Sequence, residues 1–251
     1  MTKRKKIANG NKEYEKSNQT QQKGDILAFK KLLEKFQLTE KQKKLLEAIE
    51  NNEIIIITGP AGTSKTFMEC YYAIKAYSEH KFDKILCIKP IFEAGEKLGA
   101  LPGDVSEKID PYYESYKQNF NKLIGKDEIK KLLDKEIIDF RPISYLRGTG
   151  WDNCLMVADE AQNFDAKTLV LFITRMGNNS KVIVSGDINQ SDIKSENVAL
   201  PWLADLISKV NGVFVFKFDE NDTMRNKILI EITKLYENAK IKGDIPKNKY
   251  I

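Results

Sequence analysis

The segment GPAGTSKT, residues 59–66, most constrains the fold, because it directly follows the apolar run IIII and is itself followed by residues with helical spacing. A β-branched run stopped by Gly-Pro predicts a buried strand, and SKTFMECYYAIKAYSEH predicts a helix. A glycine-containing turn between a strand and a helix can wrap a phosphate with backbone N–H groups, and the helix dipole points its positive end there. The sequence therefore predicts a phosphate-binding loop in an α/β domain.

The loop departs from the phosphate-binding pattern G-x-x-x-x-G-K-[ST] at one position, where Ser64 replaces the second glycine. Glycine is preferred there because the backbone must come close to phosphate, but serine adds only one small polar side chain. We expect Ser64 to be tolerated provided that its φ angle is negative. Lys65 would reach the β and γ phosphates, and the Thr66 hydroxyl would ligate Mg²⁺. The other residues expected around the phosphates are Gly59, Pro60, Ala61, Gly62, Thr63 and Ser64.

Further strands and helices alternate along the rest of the chain. The segments KILCIKP, IIDFRPI, CLMVADE, KVIVSGD and GVFVFKF are short and largely apolar, which predicts buried strands. Helical spacing occurs in two short bursts before the first strand, with Thr39 as the cap of the second, and again over about 105–134, in AKTLVLFITRMG and over about 223–240. This alternation predicts an α/β fold with a mostly parallel sheet that is covered by helices on both faces.

Two acidic residues follow the apolar run CLMVA, at the end of the strand where ligands bind in open α/β sheets. In this position Asp159 would hold the Mg²⁺ shell, and Glu160 would orient and deprotonate the water that attacks the γ phosphate. A strand that ends in Asp-Glu is a weak signal alone, because strand ends are often acidic. Together with the loop at 59–66 it predicts nucleotide hydrolysis.

The segment VIVSGDINQ repeats this arrangement on another strand and ends in Gln190. A neutral amide can hydrogen-bond the γ phosphate or the attacking water, and can thereby sense whether hydrolysis has occurred. An ordinary strand-to-turn Gly-Asp is about equally compatible with so short a motif. Gln190 therefore enters the candidate site because of the two motifs that precede it.

The positive charge of the chain is confined to its N-terminal segment. The formal net charge is +5, and residues 1–24 carry seven Lys and Arg side chains against Glu13 and Glu15, so the remainder is formally neutral. This segment has few large apolar side chains, which predicts a disordered basic tail over 1–24. The length of the remainder and the motifs described above predict one folded ATPase domain over 25–251. Three isolated cysteines and the lack of a membrane-length apolar stretch predict a cytoplasmic protein without membrane contact.

The wording and order of the motifs resemble those of PhoH-like proteins, which are bacterial and phage relatives of superfamily 1 helicase ATPase cores. The resemblance runs over about residues 38–235 and is carried by GPAGTSKT, KPIFEAGEKLGALPGDVSEKIDPY, YLRGTGWDNCLMVADEAQN, FITRMG, VIVSGDINQSDI and DTMR. It implies a RecA-like P-loop NTPase fold, binding of ATP and Mg²⁺, a homo-oligomeric ring such as a hexamer, and action on RNA or single-stranded nucleic acid. It also implies that Gln42 reads adenine through its amide, although the sequence alone favours a solvated helix residue.

The resemblance also singles out basic residues for the charge that develops on the transferred phosphoryl group. Arg225 in DTMR looks like a late arginine of the family, and it would act within its own subunit or across an interface. Arg175 and Arg147 are weaker candidates, because surface and salt-bridge roles are commoner for arginine. Lys89 stands where relatives often have arginine, which keeps the charge but loses bidentate geometry.

Three functions are compatible with these residues. The first is a Mg²⁺-dependent ATPase coupled to RNA or single-stranded nucleic acid, with helicase-like action. The second is a nucleotide-dependent assembly or switch protein that acts on a protein partner, which the neutral body favours because phosphate-tracking surfaces are usually basic. A small-molecule kinase is the weakest of the three, since a kinase must exclude water, whereas Asp159, Glu160 and GDINQ would orient it.

Overall fold

The computed structural model of the chain describes residues 28–91, 109–146, 148–188 and 199–242. Strands in these ranges form one sheet, made of β1 (Ile54–Thr58), β2 (Lys84–Ile88), β3 (Ile138–Phe140), β4 (Cys154–Ala158), β5 (Lys181–Gly186) and β6 (Val213–Lys217). Each pair of neighbouring strands is parallel, and the order across the sheet is β3-β2-β4-β5-β1-β6. The predicted α/β fold with a parallel sheet is confirmed.

Helices connect the strands and cover the sheet. A helical segment at 28–33 precedes α1 (Glu40–Asn51), whose N-cap is Thr39, as the sequence predicted. The remaining helices are α2 (Lys65–Ser78), α3 (Glu114–Ile124), α4 (Lys126–Asp134), α5 (Ala166–Ile173), α6 (Leu200–Ile207) and α7 (Lys227–Lys242). Within the described ranges, no helix combines the length and the apolar composition of a membrane span.

The four inner strands, β1, β2, β4 and β5, are buried on both faces, which explains why they are almost wholly apolar in sequence. Along β1 the side chains of Ile55 and Ile57 pack into one core cluster, and the side chain of Ile56 between them packs into a second cluster. Side chains of α2 and α3 belong to the first cluster, and side chains of α5 and α6 belong to the second. This alternation follows from the two-residue period of a strand, and both faces of an all-parallel sheet need such a cover.

Three helix predictions are corrected by the structure. The stretch from 109 to 134 is not one helix, because Gly125 (φ 88°) separates α3 from α4, and residues 92–108 lie outside the described residues. Helix α6 was not predicted from the sequence. The last helix begins at Lys227 and not near residue 223, because Met224 donates its backbone N–H to Gly62 O (2.9 Å) instead.

The strand order brings the predicted motifs together. β2, β4, β5 and β1 are neighbours, so the residues that follow their carboxyl ends form one row along the sheet edge. These residues are Lys89, Asp159, Asp187 and the loop at 59–64, in that order. The row occupies the position at which open parallel sheets bind ligands.

Candidate active site

The loop that connects β1 with α2 forms one wall of a cavity of about 270 Å³. The cavity is lined by Ala61, Gly62, Ser64, Lys65, Thr66, Phe67, Asn119, Asp159, Glu160, Asp187 and Arg225. The structure thus brings the loop, both carboxylates of ADE and the arginine of DTMR to one place. Gln190 and Arg147 lie outside the described residues, and Gln42 is not among the residues that line the cavity.

Lys65 folds back over the loop that precedes it. Its Nζ donates to Gly59 O (2.7 Å) and to Pro60 O (2.9 Å). Burial lowers the pKa of Lys65, and the negative charges of Asp187 and Asp159 oppose that shift. The ammonium group is therefore held by neutral carbonyl oxygens, which form weaker hydrogen bonds to it than phosphate oxygens would.

The condition set for Ser64, a negative φ angle, is not met. Ser64 has φ 66° and ψ 23°, in the left-handed region, where a residue other than glycine costs about 1–2 kcal/mol. Its hydroxyl donates to Thr63 O (2.5 Å) and accepts from Gln42 Nε2 (2.8 Å). Hydrogen bonds of this kind contribute about 1 kcal/mol each, so they offset the backbone cost and explain how serine is accommodated.

Asp159 follows β4 and is buried, with 2% of its surface exposed. Its Oδ2 atom accepts from Thr66 Oγ1 (2.9 Å) and lies 3.0 Å from Lys89 Nζ. Its Oδ1 atom accepts from Ser185 Oγ (3.0 Å) and from the backbone N–H of Glu160 (2.9 Å). These contacts fix the carboxylate in one orientation and hold one of its oxygens beside the threonine hydroxyl.

The oxygen pair Thr66 Oγ1 and Asp159 Oδ2 suits a small divalent cation. Mg²⁺ takes oxygen ligands, keeps several waters, and is commonly bound through one or two protein groups together with substrate phosphates. Among the described residues there is no group of three or more His, Cys, Asp or Glu side chains that could hold a metal ion. The donor set therefore fits Mg²⁺ that is bound together with a nucleotide.

A relay of hydrogen bonds joins the carboxylate of Glu160 to the phosphate loop. Glu160 is exposed at the cavity, and its Oε2 accepts from Gln162 Nε2 (2.7 Å). Gln162 Oε1 accepts from the backbone N–H of Asp187 (2.9 Å), and Asp187 Oδ2 accepts from the backbone N–H of Ala61 (2.9 Å). Gly186 permits this approach, because a Cβ atom there would lie 2.6 Å from Gln162 Oε1. The orientation of Glu160 is thus linked to the ends of β5 and β1.

Lys89 makes the contact that the sequence left open. Its Nζ pairs with Asp159, donates to Ser115 Oγ (2.7 Å) and lies 5.3 Å from the centre of the Tyr116 ring. Burial alone would lower the pKa of Lys89, but the charge of Asp159 and the hydrogen bond to it raise it. Lys89 therefore stays charged and neutralises a buried carboxylate.

A further carboxyl group lies behind this ion pair. Glu69 is buried on α2, and its Oε2 accepts from the Tyr116 hydroxyl (3.2 Å), while its Oε1 has no hydrogen-bond partner among the described residues. Burial, reinforced by the negative charge of Asp159, raises the pKa of Glu69 to about 8. Glu69 is thus mostly protonated at neutral pH and does not compete with Asp159 for the charge of Lys89.

Arg225 lies across the phosphate loop of its own chain. A Cβ atom at Gly62, whose φ is 85°, would lie 2.5 Å from Arg225 Cγ and 2.7 Å from Arg225 Nε. The preceding residue, Met224, is anchored to Gly62 O by its backbone N–H. Arg225 therefore has the geometry of a contact within the subunit. Arg175 does not line the cavity, and its buried Nε has no hydrogen-bond partner in the described ranges.

Gln42 is a buried residue near the back of the loop, with 4% of its surface exposed. Its Oε1 accepts from the backbone N–H of Thr39 (2.9 Å), and its Nε2 donates to Ser64 Oγ (2.8 Å) and lies 3.5 Å from Met224 Sδ. The interpretation as a solvated helix residue is therefore wrong. Recognition of adenine by Gln42 stays a prediction of the resemblance, and it competes with the contacts that Gln42 makes inside the protein.

Several side chains at the site were not assigned a role from the sequence. Gln162 belongs to the motif ADEAQN, and its spacing of two residues from Glu160 was the available signal. Ser185 lies within β5 and Asn119 within α3, where nothing in the local sequence distinguishes them from ordinary polar residues. They reach the site through strand order and helix packing, so a local pattern could not have found them.

Comparisons with known proteins agree with the fold and the motifs. The family model described as "PhoH-like protein" matches residues 36–237. A PhoH-like protein of Bacillus subtilis (strain 168) is 32% identical over 197 residues, which are 78% of this chain and 62% of the relative. Protein PhoH of Escherichia coli (strain K12) is 37% identical over 194 residues, 75% of this chain and 54% of the relative.

A solved structure shares the fold at low sequence identity. The large terminase from a thermophilic bacteriophage superposes with a TM-score of 0.51 at 10% identity, over 79% of this chain and 50% of the terminase chain. The present chain spans less than two thirds of the length of the relatives described above. From the family match over most of its residues, we conclude that the chain belongs to the PhoH-like protein family.

Proposed function

We propose that this chain is a Mg²⁺-dependent ATPase whose turnover is coupled to RNA or single-stranded nucleic acid. The family and the fold support a nucleotide-binding P-loop ATPase. The observation that supports Mg²⁺-dependent hydrolysis is the 2.9 Å contact between Thr66 Oγ1 and Asp159 Oδ2, with the exposed carboxylate of Glu160 beside it at the same cavity. A metal-binding oxygen pair and a base at the mouth of a phosphate loop are the parts that hydrolysis of a nucleoside triphosphate requires.

The phosphates would be bound by backbone N–H groups of the loop and by Lys65. On binding, Lys65 exchanges its bonds to Gly59 O and Pro60 O for charge-assisted bonds to phosphate oxygens, which are stronger. Thr66 and Asp159 would hold Mg²⁺, which neutralises charge on the phosphate oxygens. Pro60, Ala61, Gly62, Thr63 and Ser64 form the remainder of the proposed phosphate site.

Glu160 would act on the attacking water. Its Oε2 is oriented by Gln162. The water oxygen would bond to the γ phosphorus while the bond between the γ phosphorus and the β-phosphate oxygen breaks, and the Glu160 carboxylate would accept the proton that the water loses. Arg225, which lies over Gly62, would stabilise the charge that develops on the phosphate oxygens. Gln190 completes the proposed set as a contact to the γ phosphate or the water.

Residues 25–251 would form one ATPase domain that works in a homo-oligomeric ring, preceded by a basic tail at 1–24 that lies outside the described residues. A parallel sheet with a core cluster on each face supports one domain. Exposed apolar side chains on α7 support assembly with another protein surface, because monomers rarely expose so many on one helix. These side chains are Ile228, Leu229, Ile232, Leu235 and Tyr236.

The same exposed helix favours the second candidate, a nucleotide-dependent switch that acts on a protein partner. We would separate the two by measuring steady-state ATP hydrolysis with Mg²⁺, with and without single-stranded RNA and DNA, at low and high salt. Stimulation by one polymer that weakens with salt is the result expected for the nucleic-acid-coupled ATPase. Hydrolysis that is indifferent to both polymers would refute the coupling and favour the switch.

A further inference from the structure

Gln42 joins three separate segments of the chain through one side-chain amide. Its Oε1 belongs to the capping box at the start of α1, where Thr39 and Gln42 exchange side-chain and backbone hydrogen bonds. Its Nε2 reaches Ser64 at the end of the phosphate loop and Met224 in the segment that carries Arg225. Both N–H groups of this amide can therefore be satisfied within the protein.

Ser64 is the residue in this loop that needs such support. It is in the left-handed region at φ 66°, and it directly precedes Lys65, the first residue of α2. The hydroxyl of Ser64 accepts from Gln42 and donates to Thr63 O, so the side chain is fixed at both its acceptor and its donor. Glycine in this position would adopt the same φ without strain but would offer no side chain for Gln42 to hold.

We propose that Gln42 and Ser64 act together as positioning residues that hold the phosphate loop in its binding shape. In this arrangement Gln42 determines the affinity for the triphosphate group of any nucleotide and does not select the base. The inference rests on the proposed function, because it assumes that the loop binds a triphosphate.

The burial and the contacts of Gln42 support positioning over base recognition. Gln42 does not line the cavity, and only 4% of its surface is exposed. To recognise an adenine edge, the amide would need a free donor beside a free acceptor lone pair, and its donors are directed at Ser64 and Met224. A base contact would therefore require the loss of the bond that supports the strained loop residue.

The test compares three probes that share a triphosphate and differ in the base. Dissociation constants of ATP, GTP and inorganic tripolyphosphate would be measured with Mg²⁺ for the wild type, Gln42→Met, Ser64→Ala and the double variant. Ser64→Ala leaves the capping box of α1 intact, so it tests the link even if Gln42→Met folds poorly. Thermal unfolding of each variant checks that the protein is folded at the assay temperature.

Each single variant is expected to raise the dissociation constants of all three probes by the same factor. The expected factor is about threefold to tenfold, which corresponds to the loss of one hydrogen bond. The double variant is expected to bind the probes no less tightly than the weaker-binding single variant, because the two substitutions remove the same contact between Gln42 and Ser64. The loss is expected to appear in the KM for ATP, since Gln42 and Ser64 are proposed to act on binding of the triphosphate.

Two results would overturn the inference alone. One is a Gln42→Met variant that binds ATP more weakly than the wild type does but binds GTP and tripolyphosphate as tightly. That pattern is expected of a residue that recognises adenine. The other is a Ser64→Ala variant that binds all three probes as the wild type does. A folded wild-type protein that binds none of the three probes would refute the proposed function, and the inference with it.

Discussion

Replacing Gly62 by alanine is expected to remove Arg225 from the phosphate loop. The new Cβ atom would lie 2.5 Å from Arg225 Cγ, which is too close for two non-bonded carbon atoms. Because Cγ is near the backbone and Met224 is anchored to Gly62 O, the arginine cannot avoid the clash by a small rotation of its far end. The guanidinium group must therefore leave its place at the cavity.

Gly212 offers a matched control for the backbone part of this effect. Gly62 and Gly212 both have φ 85°, but a Cβ atom at Gly212 meets only Glu53, at 3.8 Å, which is an ordinary contact. Gly212 precedes β6 and accepts hydrogen bonds from Glu53 and Ile54, at the end of the sheet opposite to the cavity. Alanine at either position is expected to lower the free energy of unfolding by about 1–2 kcal/mol through backbone strain.

Only Gly62→Ala is expected to impair hydrolysis. Loss of a charged hydrogen bond to phosphate costs about 1.5–3 kcal/mol, which corresponds to a decrease in kcat/KM of about tenfold to 150-fold. The assays are thermal unfolding and Mg²⁺-dependent ATP hydrolysis of both alanine variants, with Arg225→Ala and the Gly62→Ala/Arg225→Ala double variant. The double variant is expected to be about as active as Gly62→Ala alone. Equal activity of the two glycine variants would refute this reasoning, as would full additivity of Gly62→Ala and Arg225→Ala.

Three other perturbations have defined outcomes. Lys89→Met leaves Asp159 buried without its cation and is expected to lower the free energy of unfolding by about 3 kcal/mol. The same substitution is expected to cost less in a protein that already carries Asp159→Asn, and an equal cost in both backgrounds would contradict the pairing. Glu69 has a pKa of about 8 in the folded chain against 4.5 in the unfolded chain, so its contribution to the free energy of unfolding is fully present below pH 4.5 and is lost as the pH rises towards 8. Urea unfolding should therefore show the wild type losing stability relative to Glu69→Gln between pH 4.5 and pH 8. Parallel pH dependence of the two proteins would contradict this. Gln162→Met is expected to lower kcat for ATP about tenfold with little change in nucleotide affinity, and to have almost no further effect in Glu160→Gln, because it acts through Glu160.

The parts of the fold that depend on local pattern could be predicted from the sequence. A short β-branched run such as IIII, bounded by Gly-Pro, favours a strand buried on both faces, and the Gly-Pro favours a turn before α2. The position of Asp159 after β4 followed from the same reasoning, because the carboxyl ends of parallel strands share one edge. Family, parallel sheet and the convergence of the loop with both carboxylates were therefore accessible before the structure.

The parts that depend on contacts between distant segments could not be predicted. The left-handed φ angle of Ser64 occurs together with a hydrogen bond to Gln42, which is 22 residues earlier in the chain. The pairing of Lys89 with Asp159 depends on β2 lying next to β4, and strand order is not encoded in any local motif. Arg225 comes to Gly62 because β6 lies beside β1 and returns the chain to the loop. These contacts therefore depend on which strands and loops are neighbours in the folded chain, and a local sequence pattern does not contain that information.

The measurement that tests the central claim most directly is hydrolysis of ATP in a single turnover by wild type and Glu160→Gln, with nucleotide affinity measured for both. If Thr66 and Asp159 hold Mg²⁺ while Glu160 takes the proton from water, Glu160→Gln binds Mg²⁺ and ATP with the wild-type affinity to within about threefold and hydrolyses ATP about 10²–10⁴ times more slowly. Hydrolysis at the wild-type rate by Glu160→Gln would contradict the account.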